Sequence, residues 1–451
     1  MSTAKTKILY IVLFLITLVV TYFILTLVFK RESEPKPIFL KVVGFWDPVV
    51  FNTIKKDFQE KNPEITIEYE QRQKENYFPT LKADLVNKDT TPDLFWWHSG
   101  WGPELGKSLA SLPESVMSAI EYEKTFYPIT KTDMKLGSSY RGFPLEIDGL
   151  ALLYNKSIFA SSNFKEAPTT WAQLRQVYGP ALTIRDKQRI LNSAIALGTV
   201  NNVENFSEII GLFLLQNGVA FVNNGKLNIL DNKGSRGTNL VSDAVDGYLK
   251  FSKEDKIWDN TLPNSIAAFS TGKTAMIILP AEKIHTLLET LKKENLKLDF
   301  GVAPTPQLPD SETVTWGSYW AIGVSEKSNQ KQASWKLAAY LTSKEVLREV
   351  FKYESEQNIF GRAFPRVDMA KEQTTNPYLA AYLVQAPSAR SWYLHSDTYD
   401  QGLNDNIVTE FKNVVLEVET GGSASGQLKD LDKKLTAVLK KYSLISSVTA
   451  N

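Results

Sequence analysis

The sequence predicts a membrane-tethered α/β protein whose soluble part forms two domains, and three observations predict it. An uncharged run of 22 residues, Ile8 to Phe29, contains no Pro and no Gly. Directly after it, strand and helix patterns alternate. Later, short strands return after a long, mostly helical stretch, which makes one domain an insertion within the other.

As a helix at about 1.5 Å per residue, the run Ile8–Phe29 reaches roughly 33 Å, enough to cross a bilayer's hydrocarbon core. A cleavable secretory signal carries an apolar stretch of about 7–15 residues and then a small-residue cleavage site. Here the run ends in Phe29-Lys30-Arg31-Glu32 with no A-x-A pattern. It reads as one uncleaved, single-pass anchor over residues 8–29, after a cytoplasmic N-terminus at 1–7 and before a polar linker at 30–37. Lys5 and Lys7 precede the run while Lys30, Arg31 and Lys36 follow it, so charge leaves the orientation open.

About 415 residues follow the tether, more than one core usually organises, so two domains are expected. The absence of Cys excludes a thioether-linked lipid, a disulfide and a thiolate metal site. A net charge of +1 with no basic block gives no reason to expect nucleic acid. His98, His285 and His395 are the three histidines; they lie far apart in sequence and predict no metal site. Gly272-Lys273-Thr274 has the tail of a phosphate-binding loop, but Ala267 stands where the first Gly belongs and the segment precedes its strand. No cofactor is expected.

Ile38–Phe45 reads as a buried strand that stops at Trp46-Asp47-Pro48, where Asp47 suits a helix cap and Pro48 a first turn. Val50, Phe51, Ile54 and Phe58 supply a helical stripe. Ile65, Ile67 and Tyr69 alternate as a second strand; a helix over Tyr77–Asn87 and a third strand over Asp93–Trp97 complete a βαβαβ unit with a parallel sheet. Amphipathic helices follow near Phe206–Gln216, Asn239–Phe251, Ser334–Leu341 and Lys344–Tyr353, and two more close the chain. Between them sit strands near Ala275–Leu279, Leu298–Val302 and Trp316–Val324.

Five stretches in order resemble the family 1 extracellular solute-binding proteins of ABC importers, the group of maltose-binding protein. They are Val42–Glu60 with Asn62-Pro63-Glu64-Ile65-Thr66-Ile67; Thr91-Pro92-Asp93-Leu94; Gly142-Phe143-Pro144-Leu145 through Tyr154-Asn155-Lys156, with Pro168-Thr169-Thr170-Trp171; Ala268-Phe269-Ser270-Thr271-Gly272-Lys273; and Trp316–Ile322 with Trp335–Leu341. The resemblance implies a two-lobed, periplasmic-binding-protein-like fold of the type II kind, with hinge crossings. The first lobe would hold 38–147 plus about 276–322, the second 148–275 plus about 323–445, and 446–451 would be a tail. It implies an extracytoplasmic monomer that binds a sugar or oligosaccharide noncovalently and meets the permease subunits of an importer. Two departures stand out: the lipid-carrying Cys is absent, and Leu279-Pro280-Ala281-Glu282 replaces the family's usual "xGpW".

A sugar cleft needs flat aromatic platforms beside short polar groups, and loops at strand C-terminal ends are where these converge. Trp46 and Trp97 end the first and third strands and are platform candidates, with Asp47 as a hydroxyl acceptor. Glu146 and Asp148 stand two residues apart on the hinge crossing, hence on one side of an extended chain. Trp316 and Tyr319 flank a later crossing. The resemblance adds Arg362 in a small turn, and Trp392 and Tyr393 from the second lobe. No catalytic residue is expected. The rival from another class is a membrane-tethered glycan-processing enzyme using Glu146 and Asp148 as a carboxylate pair; a peptide or polyamine receptor is a third alternative.

Overall fold

The computed structural model describes residues 2–29, 37–235, 237–309, 311–357 and 360–446. Helix α1 (Ser2–Phe29) covers the expected anchor, and its apolar side chains from Ile8 to Phe23 stand exposed. Among the described residues no helix is long and apolar enough to cross a membrane. The side chains of residues 24–29, which complete the expected span, lie outside those described, as do nearly all of the linker at 30–37 and of the tail at 446–451.

The elements that position the cleft begin with β1 (Ile38–Gly44), α2 (Pro48–Lys61), β2 (Ile65–Gln71), α3 (Tyr77–Val86), β3 (Leu94–His98), α4 (Gly102–Leu105) and β4 (Phe143–Pro144). The chain crosses through β5 (Asp148–Gly149) into β6 (Ala151–Asn155), then α5 (Phe206–Gln216), α6 (Leu240–Lys253), β7 (Met276–Leu279), α7 (Ala281–Lys293) and β8 (Phe300–Pro304). It returns through β9 (Thr315–Ser318) and β10 (Trp320–Val324), and ends in α8 (Lys331–Leu341), α9 (Lys344–Gln357), β11 (Ala389–Arg390), α10 (Leu403–Glu419) and α11 (Ala424–Lys441).

The first sheet runs β2-β1-β3-β10-β4. Its first three strands are parallel, as the βαβαβ unit requires, from Ile38↔Ile65 to Gly44↔Gln71 and at Val42↔Leu94. Strands β10 and β4 add antiparallel. The local chemistry is legible in α2. Asp47 Oδ1 accepts the Val49 N–H at 2.8 Å, Pro48 opens the first turn, and Val50, Phe51, Ile54 and Phe58 bury the inner face. Fully burying each such side chain contributes about 1.5–3 kcal/mol.

The second sheet, β7-β6-β8, is antiparallel. A third, β11-β9-β5, lies between. The strand expected over Trp316–Val324 divides at Tyr319. Its first half pairs with β5 through Gly317↔Gly149 and Ser318↔Asp148, and its second half joins the first sheet through Trp320↔His98 to Val324↔Leu94. Two hydrophobic repeats ran together in sequence because both halves are buried; only the change of sheet separates them. The crossings at 144–149 and 318–320 join two lobes.

On α5, Gly211 faces the Trp316 ring with no room for a Cβ. A helical Gly→Ala exchange gains about 0.8–1.0 kcal/mol in propensity, but overpacking a buried site costs roughly 1–3 kcal/mol. Gly211→Ala is therefore expected to lower stability by about 1 kcal/mol; a raised melting temperature would show that Trp316 yields.

Candidate functional site

The crossing strand builds the site from the hinge outward. The Leu145 N–H donates to Trp320 O at 2.8 Å and the Ile147 N–H to Ala363 O at 3.1 Å, so Glu146 and Asp148 project to one side between the lobes. Arg362 Nη1 donates to Glu146 Oε2 at 2.8 Å, and its Nε reaches Glu354 at 2.9 Å. Asp148 works differently. Its Oδ1 accepts the Ala281 N–H at 2.8 Å and the Gly149 N–H at 2.7 Å, and its Oδ2 accepts the Glu282 N–H at 3.1 Å. A carboxylate at the start of α7 satisfies N–H groups that have no partner inside the helix and meets the positive end of its dipole.

Around these groups lies a cavity of about 370 Å³ lined by both lobes, with Lys74, Glu282, Lys283, Asp397 and Tyr399 among its lining residues. Lys74 of the first lobe pairs with Glu282 of the second at 2.8 Å. Lys283 pairs with Asp397 at 2.6 Å and Glu204 at 3.2 Å. Every lining cation named here is held by at least one carboxylate. Beside these cations, Phe45 meets Trp320 edge to face at 4.5 Å, with Lys74 Nζ 5.4 Å from each ring and the Arg362 guanidinium 5.7 Å from Phe45.

Deeper between the lobes the surroundings are aromatic and neutral. His98 meets His395 at 4.9 Å between ring centres, and His395 meets Trp316 at 5.1 Å. Burial drives the His98 pKa down to about 3, helped by Lys74, and holds His395 well below the usual imidazole range. Asp133 accepts from Ser391 Oγ at 3.0 Å, and burial pushes its carboxyl up to about 7; Tyr319 and Tyr393 stand beside it. Asp148 is likewise raised to about 7, by burial first and then by Glu282. Several buried polar atoms here find no hydrogen-bond partner among the described residues: Ser99 Oγ, Ser207 Oγ, Trp316 Nε1, His395 Nδ1, Thr398 Oγ1 and Asn404 Oδ1.

The structure thus brings Glu146, Asp148 and Arg362 onto one cavity, and Trp316, Tyr319 and Tyr393 into the deeper layer. It places Trp46 under the first lobe, edge-on to Trp96 at 5.2 Å, and Asp47 at its helix cap. The Trp97 indole nitrogen lies 3.0 Å from where a Cβ at Gly142 or Gly323 would stand, inside the first lobe. Trp392 stacks on Phe221 at 3.6 Å. Sequence reasoning overlooked Phe45, Lys74, Glu282, Lys283 and Trp320. Phe45 and Trp320 carried a signal, being aromatic residues at strand ends; the two Lys and Glu282 carried none. His98 and His395, far apart in sequence, face each other between the lobes.

Comparison with known proteins agrees with this architecture. The family model for bacterial extracellular solute-binding proteins matches residues 53–359. A protein of Brucella abortus (strain 2308) designated a binding protein is 22% identical over 412 residues, covering 87% of this chain and 90% of that one. A cyclo/maltodextrin-binding protein complexed with maltotetraose superposes with a TM-score of 0.70 at 19% identity, covering 91% of this chain and 99% of its own. The sugar-binding protein MalE of Xanthomonas citri gives 0.70 at 20% identity, covering 89% and 98%. With a family match across most of the folded part and two lobes joined by crossing strands, this chain belongs to the bacterial extracellular solute-binding proteins.

Proposed function

We propose that the protein binds a sugar or oligosaccharide noncovalently between its lobes and presents it to the permease of an ABC importer. The observation that carries this reading is the deep layer of unpartnered donors and acceptors beside aromatic rings. Leaving such groups unmade costs about 1–3 kcal/mol each, and a ligand with hydroxyls on one edge and C–H faces on the other satisfies both. Lining carboxylates already held by Lys or Arg keep spare lone pairs for hydroxyl protons. Neighbours of the same fold bind such ligands, maltotetraose among them.

In this reading Glu146, Asp148, Arg362, Trp316, Tyr319 and Tyr393 meet ligand, and Trp46, Asp47, Trp97 and Trp392 stand behind the walls they shape. The lobes divide near 147/148; β7 and β8 pair with β6 in the second sheet, so 276–304 stays with the second lobe and the return to the first comes with β10 rather than at 276. Residues 8–29 anchor the chain in the cell membrane with the lobes outside, which raises the effective concentration of receptor at its permease. The chain works as a monomer without cofactor or catalysis.

Thermal unfolding of the full chain, in a detergent without a glycoside headgroup, tests the ligand class against malto-oligosaccharides, monosaccharides, peptides and polyamines. A ligand at 100 times its dissociation constant adds about 2.7 kcal/mol of stability. A rise confined to sugars, with the sugar recovered intact, is the expected result. A rise with peptides or polyamines alone, or recovery of cleaved sugar, would overturn it.

A further inference from the structure

Helix α10 belongs to the second lobe, packed on α5, α6 and α11. Its first turn is capped twice. Within the lobe, Asp400 Oδ1 accepts the Gly402 N–H at 2.9 Å and Asp400 Oδ2 accepts the Asn404 N–H at 2.8 Å. The N–H between them is not taken by Asp400. Leu403 N–H donates at 3.0 Å to Glu104 Oε1, which is carried on α4 of the first lobe. Nearby, Asn404 Nδ2 donates to Gly100 O at 3.0 Å, again across the lobes.

Glu104 is 1% exposed at its side chain, and its other oxygen pairs with Lys82 of its own lobe at 2.8 Å. Position 402 is glycine, and a Cβ there would strike Glu104 Oε1. The segment that delivers the helix end is itself held in an uncommon conformation: Asp397, Tyr399 and Gln401 all have left-handed backbones, at φ 53°, 50° and 48°. Non-glycine residues rarely adopt that region unless their surroundings impose it.

We propose that Glu104 is a positioning residue for ligand capture: its carboxylate caps α10 in the opposite lobe, Gly402 leaves it room, and the contact clasps the cleft shut. The physical basis is the pairing of a buried carboxylate with the unsatisfied N–H groups and positive dipole end of a helix. Opening the lobes exposes both to water, so the contact biases the open–closed equilibrium without touching ligand. This rests on the two-lobed cleft proposed above, but it makes a claim about the ligand-free protein, and the two readings fail separately.

The chain has no Cys, so spin labels at Lys88→Cys in the first lobe and Lys429→Cys in the second report the distance between lobes. The expected result, in the ligand-free full chain, is a shift of the distance distribution to longer values in Glu104→Ala and in Gly402→Ala. The double variant should shift no further than either single one, because both remove one contact. Glu104→Gln, which keeps an acceptor and loses the charge, should shift less. Unchanged distributions in Glu104→Ala and Gly402→Ala, with the native circular dichroism retained, would overturn the clasp, as would additive shifts in the double variant. Failure of every sugar to bind would leave these distances as they are and would fall on the ligand assignment instead.

Discussion

Replacing Arg362 with methionine is expected to remove about 3 kcal/mol of stability, the low end of the range for breaking a buried ion pair from one side. The guanidinium is always charged and holds Glu146 and Glu354 at 2.8 and 2.9 Å. Its side chain is 30% exposed and that of Glu146 10%, so water relieves part of the loss. Without Arg362, Glu146 is a carboxylate in the cleft with no cation within bonding distance among the described residues, and burial already raises its pKa. The penalty therefore belongs to the ionised form and should shrink as acid protonates Glu146. Adding Glu146→Gln should restore part of the stability at neutral pH. Arg390 supplies the control: its pair with Glu312 is 50% and 76% exposed, and such pairs contribute about 0–1 kcal/mol. Thermal unfolding in which Arg362→Met and Arg390→Met fall equally would remove the buried cluster as a source of stability.

Glu208 on α5 should dominate the dependence of stability on pH. It is buried, accepts from Asn205 Nδ2 at 2.7 Å and from Ser396 N and Oγ at 3.1 and 2.9 Å, and has no Lys or Arg partner among the described residues. Burial pushes its carboxyl up to about 8, from an ordinary 4.5. Between those values the unfolded chain has released the proton and the folded chain still holds it. Its contribution is thus fully present below about pH 4.5 and is lost as pH rises toward 8, at up to about 1.4 kcal/mol per pH unit. Glu208→Gln stays neutral throughout. Asn205 Oδ1 lacks a partner and can accept from the new amide after a flip. The variant should match the parent near pH 5 and exceed it near pH 8, by an amount on the order of a few kcal/mol. Asp133 and Asp148, both raised to about 7, act in the same direction, so the variant's slope should flatten without vanishing. A parallel loss in both proteins across that range would mean that Glu208 is ionised in the folded state.

How much of this was legible in sequence follows from what each feature depends on. The βαβαβ opening and α5 were readable because periodicity and caps are local: Asp47-Pro48 starts α2, and Phe206–Gln216 was delimited correctly. The division at Tyr319 was hidden, since a strand that changes sheets keeps the same buried alternation. Among site residues, Glu146 and Asp148 were found because spacing on an extended chain fixes their side. Trp46 and Trp97 were chosen as strand-end aromatics. Phe45 and Trp320 instead stand beside the lining cations Lys74 and Arg362, and Trp97 lies between Gly142 and Gly323. Lys74 and Glu282 meet only because two lobes close on one another, and nothing in their local sequence records that encounter. Glu104 is the extreme case, a carboxylate whose partner is the backbone of a helix 299 residues away.

The central claim, that the cleft captures a sugar without altering it, is tested most directly by calorimetric titration of malto-oligosaccharides into the purified chain, with the sugar analysed afterwards. Saturable binding at one site per chain, with intact sugar recovered and affinity lowered in Trp316→Leu, is the predicted result. Titrations without heat across mono- and oligosaccharides, in protein that still unfolds cooperatively, would contradict it.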